Sequence, residues 1–284
     1  MRSGGEALAW EERWSLPVGV ATLVAVGLTI AGTIVLAQAV GGTNGDADYL
    51  RHVDQHRSGQ LLASILQAIG ALLLAAPLLY LFRADQARSP KVRGQLVGLV
   101  VAAPIFLAVF NVLVGVSALH AATDFVGQGI TGTSDHADKI AKDAIDNAPL
   151  QGLAAGFGIG GRLGFMVAMF YSCLYGLRTG LLSRFWGSLG MALGAVSFIF
   201  PQFAVLWFIY LGLLIAGWVP GGRPPAWAAG EAIPWPSPGE KAAARLEEAE
   251  ESKHPDDPPQ LPEGEPNGDS GEGPHKRKQR GQSQ

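Results

Sequence analysis

Five long apolar stretches lie between Pro17 and Trp218, and the last of them is long enough to cross a membrane twice. A soluble core has no need of such runs, but a bilayer does: ~20 residues rising ~1.5 Å each cover its ~30 Å hydrocarbon core. Backbone N–H and C=O groups in lipid must be satisfied within the spanning segment or within a closed barrel. None of these runs alternates polar with apolar residues as barrel strands do. The expected fold is therefore all-α, a polytopic transmembrane helix bundle of about six spans followed by a disordered C-terminal tail.

The spans fall at 17–40, 59–82, 96–119, 151–177, 185–200 and 203–218. The last two come from one apolar stretch, 185–218. As a single helix it would be ~51 Å long, and Pro201 lies inside it, where proline removes a hydrogen bond and clashes with the preceding turn. Two short helices with a turn at Pro201-Gln202 are expected, each short for a full crossing; five spans are the alternative. The first span is read as a retained anchor. Its run from Val18 to Ala37 exceeds the ~7–15 residue core of a secretory signal, and Glu6, Glu11 and Glu12 offset Arg2 and Arg13 in the segment 1–16 before it.

Charge suggests the orientation. Arg83, Arg88, Lys91 and Arg93 join spans two and three, and Arg178 and Arg184 join four and five. Arg2, Arg13 and Arg223 flank the two ends. The other side carries only Arg51, Arg57, Lys139 and Lys142. Basic residues near span ends collect in the cytoplasm. A multi-pass protein of the cell (cytoplasmic) membrane is expected, with both termini inside and the loops 41–58 and 120–150 outside. In the second loop, Ser134 is placed to cap a short helix whose Ala137, Ile140, Ala141, Ala144, Ile145 and Ala148 share one face, closed by Asn147 and Pro149. Such a helix is expected to lie on the outer membrane surface or to act as a lid.

The tail, 219–284, holds twelve of the chain's 18 prolines and half of its 24 acidic residues. Few aliphatic residues follow Ile233, so the tail is read as disordered, with a transient helix over 242–251. The cluster Lys276, Arg277, Lys278 and Arg280 is a candidate contact for anionic lipid headgroups. A net charge of −3 argues against a nucleic-acid partner. The one cysteine, Cys173, excludes an internal disulfide or a multi-cysteine metal site and is read as a packing residue.

Three groups of residues are candidates for function. Small residues recur every fourth position through the fourth span, at Gly152, Gly156, Gly160, Gly164, Ala168 and Ser172. Such a stripe lets helix backbones approach in lipid, within the chain or as a homo-oligomer surface. Arg162 lies in the same span, where a guanidinium is costly and no span supplies a carboxylate to pair it. Gln67 and Asn111, in spans two and three, fall at a similar depth. Together they are expected to form a polar layer opening outward, suited to a small anion. The bland alternative is that Arg162 snorkels to the interface. The third group is His52 and His56, four apart on one helical face, a possible half of a divalent metal site; His120, Asp124 and His136 face the same side. No nucleotide loop or nucleophile motif accompanies them, and no cofactor is expected.

Gly176-Leu-Arg178-Thr-Gly180-Leu-Leu-Ser-Arg184-Phe-Trp186-Gly187 and Gly221-Gly-Arg223-Pro-Pro-Ala-Trp227, continuing to Pro236, resemble the basic turn and post-span segment of six-span bacterial membrane proteins of actinobacterial type. That group has no assigned activity, so the resemblance implies topology and no catalytic residue. The expected function is non-enzymatic: handling or sensing a small solute through the polar layer. A membrane scaffold or regulator using the glycine ladder, and an outward-facing metal-dependent enzyme using His52 and His56, are the alternatives.

Overall fold

The computed structural model of the chain describes residues 4–130, 132 and 134–236, with 239, 242, 243, 245 and 246 of the tail. The chain divides into two units, Met1–Trp235 and Pro236–Gln284. The basic cluster Lys276, Arg277, Lys278 and Arg280, and most of the helix expected over 242–251, lie outside the described residues.

Among the described residues the first unit is all-helical. Its helices are α1 (Gly4–Val40), α2 (Asp46–Gln55), α3 (Arg57–Leu73), α4 (Ala75–Arg88), α5 (Val97–Gly127), α6 (Asp135–Asp146), α7 (Gln151–Thr179), α8 (Arg184–Val196), α9 (Ala204–Ala216) and α10 (Pro225–Ala229). Four segments are long and apolar enough to cross a membrane: Gly5–Val40, Arg57–Arg88, Gly94–Gly127 and Gln151–Thr179. The second is α3 and α4 in line. Its interruption at Leu74 follows from Pro77, whose ring crowds the carbonyl of Leu73 and whose missing N–H cannot close that turn. The Leu74 N–H bonds to both Gly70 and Ala71 carbonyls at 3.2 Å instead.

The stretch expected to supply spans five and six does break near Pro201. A 3₁₀ turn at Pro201–Phe203 separates α8 from α9. The Trp186 and Tyr210 rings stack with centroids 3.7 Å apart, and Trp207 Nε1 donates to the Trp186 carbonyl at 3.1 Å. The start of α8 therefore lies beside the end of α9, and the two form an antiparallel hairpin. Each helix has 13 residues, ~20 Å of rise, which is short of the ~30 Å a full crossing requires.

Packing follows a ring: α1 against α3, α3 against α5, α5 against α7, α7 against α8, and α9 back against α1. Small residues set the close approaches to the hairpin. A Cβ on Gly194 would sit 3.4 Å from Met169, and Gly190 and Gly187 face Cys173 and Leu177 in the same way. α8 thus climbs α7 from Leu177 towards Met169, and its tip stops one to two turns below Arg162.

The polar loops 41–58 and 120–150 hold more regular structure than their polarity suggests. α6 begins as expected at Ser134, whose side chain accepts the Ala137 N–H at 3.2 Å, and ends at Asn147. Its apolar face does not lie free on a membrane surface. Ala137 and Ala141 are buried against Ala47, Leu50 and Val53 of α2 and Ala121, Ala122 and Phe125 of α5. α2 was not anticipated, although Ala47, Leu50 and Val53 repeat at three-residue spacing. Asp138 of α6 caps it across the gap, accepting the Ala47 N–H at 2.9 Å. Gly45 makes room: its φ is +94°, and a Cβ there would meet the Asp138 carboxylate at 2.6 Å. Burial in this small core pushes the Tyr49 phenol above its ordinary pKa.

The ordered part of the chain also runs further than Trp218. Residues 219–235 lie against the opposite, basic end of the bundle. Gly180, at φ +79°, ends α7 where a side chain would strike the Ile233 carbonyl, and the Ile233 N–H donates to the Thr179 carbonyl at 3.0 Å. Trp227 is buried, donating to the Leu181 carbonyl at 2.9 Å, and Trp235 donates to the Leu182 carbonyl at 2.8 Å. Two tryptophans supply the apolar surface that the aliphatic count of this segment had concealed.

Candidate functional site: an apolar cavity holding one cation

Above the hairpin tip lies a cavity of about 670 Å³. Arg162, Gln67 and Asn111 all line it, so three residues from three helices reach one space. Thr29 and Thr33 of α1 join them on the wall, and Ser197, Pro201 and Gln202 of the hairpin tip close one side. The rest of the lining is mainly aliphatic and aromatic, including Val26, Ile30, Leu107, Phe110, Phe165 and Phe208.

Each polar side chain is positioned by a specific packing choice. A Cβ at position 32 would fall 2.8 Å from Gln67 Cγ, so Gly32 lets the Gln67 stem pass across α1. Gly158 does the same for Phe110, whose ring would lie 2.7 Å from a Cβ there. Phe110 in turn carries the Arg162 guanidinium, 5.2 Å from its ring centroid. Thr29 and Thr33 turn their hydroxyls onto the Ala25 and Thr29 carbonyls, both at 2.9 Å.

Among the described residues, the Arg162 side chain makes no hydrogen bond and no ion pair, and neither Gln67 nor Asn111 makes a side-chain hydrogen bond. A guanidinium at the centre of a spanning helix costs ~2.5–3.5 kcal/mol on insertion scales. A cation–π contact returns ~0.5–2 kcal/mol. The contact with Phe110 therefore does not offset the cost, and the protein's own residues leave five donor N–H groups unmet. The cavity thus combines apolar walls, an uncompensated cation and two free amides.

The glycine ladder divides along its length. Gly164 approaches α5 closely, a Cβ there meeting Ala103 Cβ at 3.0 Å, and Ala168 and Ser172 are buried. Gly160 has only the Phe106 ring at ordinary contact distance, and Gly152 and Gly156 face nothing within 4 Å. The reason is geometric. Every fourth residue advances 400° around a helix of 3.6 residues per turn, so the stripe drifts ~40° per step and leaves the interface. Contact with α5 in the N-terminal half of α7 passes to Gly158 and Gly161, which the four-residue repeat does not contain.

His52 and His56 stack with ring centroids 6.3 Å apart. Their Nδ1 atoms contact the Asp48 and His52 carbonyls at 3.0 and 3.1 Å. Neither His120 nor His136 comes to them, and no group of three or more His, Cys, Asp or Glu able to hold a metal occurs among the described residues.

At the basic end the sequence reading missed a buried polar cluster. Glu11 of α1 and Arg88 of α4 form a two-pronged ion pair, with Arg88 Nη2 to Glu11 Oε2 at 2.9 Å. Arg88 Nε also donates to the Ala226 carbonyl at 3.1 Å, and the Tyr80 hydroxyl donates to the Glu11 carbonyl at 2.8 Å. Thr179 donates to Asp85 Oδ1 at 2.8 Å, deep in the protein. Arg223 Nε donates to the Leu214 carbonyl at 3.0 Å, closing the end of α9. Nothing in the spacing of Glu11 and Arg88 reveals a pair so far apart in sequence; both were read only as charges flanking spans.

Comparisons with protein-family models, with curated proteins and with solved structures returned no match.

Proposed function

We propose that this chain is a non-enzymatic multi-pass protein of a bacterial cytoplasmic membrane that binds a small solute in the cavity around Arg162. The observation that carries the reading is Arg162 itself: a membrane-embedded guanidinium facing a cavity, with no acidic or hydrogen-bonding partner among the described residues. A group that serves the fold is paired by the fold, as Arg88 is. A group left unmet at this cost is retained for something the chain does not itself contain.

Four full crossings and a half-depth hairpin fit the helix lengths. An even number of crossings puts both ends of the chain on one side, and this holds whether the hairpin crosses or turns back. With the basic end in the cytoplasm by the positive-inside rule, the cavity belongs to the outer half of the bundle.

Thermal unfolding of purified protein against small carboxylates, phosphate, amines and neutral solutes tests the reading. An anion that raises the midpoint of wild-type protein, with no effect on Arg162→Gln, supports it. Midpoints that never separate the two proteins defeat it.

A further inference from the structure

The cavity has a side door, and the door faces lipid. Helices α1 and α7 do not form a packed pair; the α8–α9 hairpin fills the space between them. Met169, Cys173 and Leu177 form the stripe of α7 that carries the hairpin. Arg162 is two turns above Met169 on that same stripe, where α8 has already ended. Above the tip the ring therefore lacks a member. On the α1 side the lining is apolar and open: Ile30 and Ile34 both line the cavity, and Ile34 is 51% exposed. At the tip, Ile199, Phe200 and Phe203 are exposed too, a surface suited to hydrocarbon.

We infer that the cavity admits a single-chain amphiphile with a monoanionic headgroup, entering sideways from the outer leaflet. The inference rests on the solute-binding reading above and narrows its ligand. The charge is set by Arg162, which presents donors and no neighbouring carboxylate to repel an anion. Gln67 and Asn111 supply amide donors to the remaining headgroup oxygens. The chain is set by the walls: Val26, Ile30, Leu107, Phe165 and Phe208 give a small hydrophilic anion nothing to bind, but cover a hydrocarbon tail. Size limits the ligand to one chain. A volume of about 670 Å³ holds on the order of 20 groups the size of a water or methylene, at ~30 Å³ each. That encloses a headgroup with one medium-length chain and is too small to enclose both chains of a two-chain lipid.

The test titrates the full-length protein, in neutral maltoside detergent, with butyrate, octanoate, dodecanoate and dodecyl phosphate. Dodecanol and dodecyltrimethylammonium serve as tail-matched controls, and all are kept below their micelle concentrations. The readout is the concentration that raises the unfolding midpoint half-maximally. Dodecanoate or dodecyl phosphate should act at a concentration at least tenfold below butyrate, and the neutral and cationic controls should fail. Arg162→Gln should lose at least tenfold and Arg162→Lys should recover part of it. Should Arg162→Gln not fold, Asn111→Ala paired with Gln67→Leu reads the same headgroup contacts. Butyrate matching dodecanoate, with the same dependence on Arg162, would overturn the lipid-derived ligand and leave the small-anion reading standing. All four twelve-carbon compounds acting alike, independent of Arg162, would mean unspecific detergent binding and overturn the inference. No response to any anion would remove both readings.

Discussion

The two ends of this bundle treat polar groups in opposite ways: Glu11 and Arg88 are buried, whereas Arg162, Gln67 and Asn111 are half-buried. At the basic end, Glu11 meets Arg88, Arg88 meets the Ala226 carbonyl, and Tyr80 meets the Glu11 carbonyl. Aromatic rings seal the cluster: Tyr80 lies between Trp10 at 5.2 Å and Trp227 at 6.0 Å. At the other end, Arg162, Gln67 and Asn111 share one cavity, and their side chains bond to nothing among the described residues. A buried pair whose members satisfy one another contributes little net stability yet is costly to break. An unpaired group costs stability while present, and its removal costs none. The first arrangement locks a structure, and the second leaves room for a ligand.

The contrast is not complete at the basic end. Asp85 Oδ2, like Gln60 Oε1 and Ser172 Oγ, has no partner among the described residues. Asp85 nonetheless keeps a bond to Thr179 through its other oxygen, and it does not line the cavity that holds Arg162.

The contrast can be broken most forcefully at the lock. Trp227→Ala removes a buried indole and its hydrogen bond to Leu181, and should cost ~3–5 kcal/mol. Removal of residues 237–284 should leave the unfolding midpoint unchanged, because their Pro-, Gly- and Glu-rich composition supplies no apolar core. Thermal unfolding of both in one detergent checks this, and equal losses would place a second docked segment beyond Trp235.

The outer half is sharpened by a glycine pair. Gly158→Leu drives a side chain into the Phe110 ring and should cost ~1–3 kcal/mol, the range for overpacking. It should also displace the cation–π partner of Arg162. Gly156→Leu, with nothing within 4 Å of a Cβ there among the described residues, should be close to wild type in the monomer. A large loss at Gly156 with none at Gly158 would restore the four-residue ladder as the packing surface.

A smaller effect is expected in the outer cap. Asp138→Ala removes the acceptor of the Ala47 N–H and should cost ~1 kcal/mol, the usual magnitude for a lost cap. Hydrogen exchange should rise in α2 and leave α4 unchanged. Exchange rising at both ends would show that cap and lock are coupled.

Position 199 separates a half-depth hairpin from two full crossings without perturbing stability. A cysteine replacing Ile199, in a Cys173→Ser background, should resist an impermeant thiol reagent added from either side of the membrane. A cysteine at position 45 should react from outside only. Labelling of position 199 from outside would restore six crossings.

Much of this was legible in the sequence, for physical reasons. Bilayer thickness forces long apolar runs, so the four spanning segments were visible, and Pro201 announced the hairpin. Ser134 and the apolar spacing after it gave α6. The shared depth of Gln67, Asn111 and Arg162 followed from helix rise alone. What was hidden depends on the third dimension. The face of α6 was visible, but its burial required α2, whose short repeat sits among polar residues. The lock joins Glu11, Arg88 and Ala226, residues that no periodicity connects. The ladder is only partly a packing surface within the chain, because a four-residue step drifts off one face: Gly164, Ala168 and Ser172 pack, and Gly152 and Gly156 meet nothing within 4 Å among the described residues. The cavity's open side depends on where α8 stops, which hydropathy along 185–218 does not mark.

The most direct measurement compares two arginines. Arg88→Gln and Arg162→Gln remove the same charge from the same membrane protein, one at the lock and one in the cavity. Their thermal unfolding, in one neutral detergent without added anion, should diverge. Arg88→Gln should lose ~3–5 kcal/mol, because Glu11 is left buried and unpaired. Arg162→Gln should match wild type or exceed it by ~1 kcal/mol, because an unmet guanidinium has been removed. A loss at Arg162→Gln as large as that at Arg88→Gln would contradict the account, for it would make Arg162 a second lock.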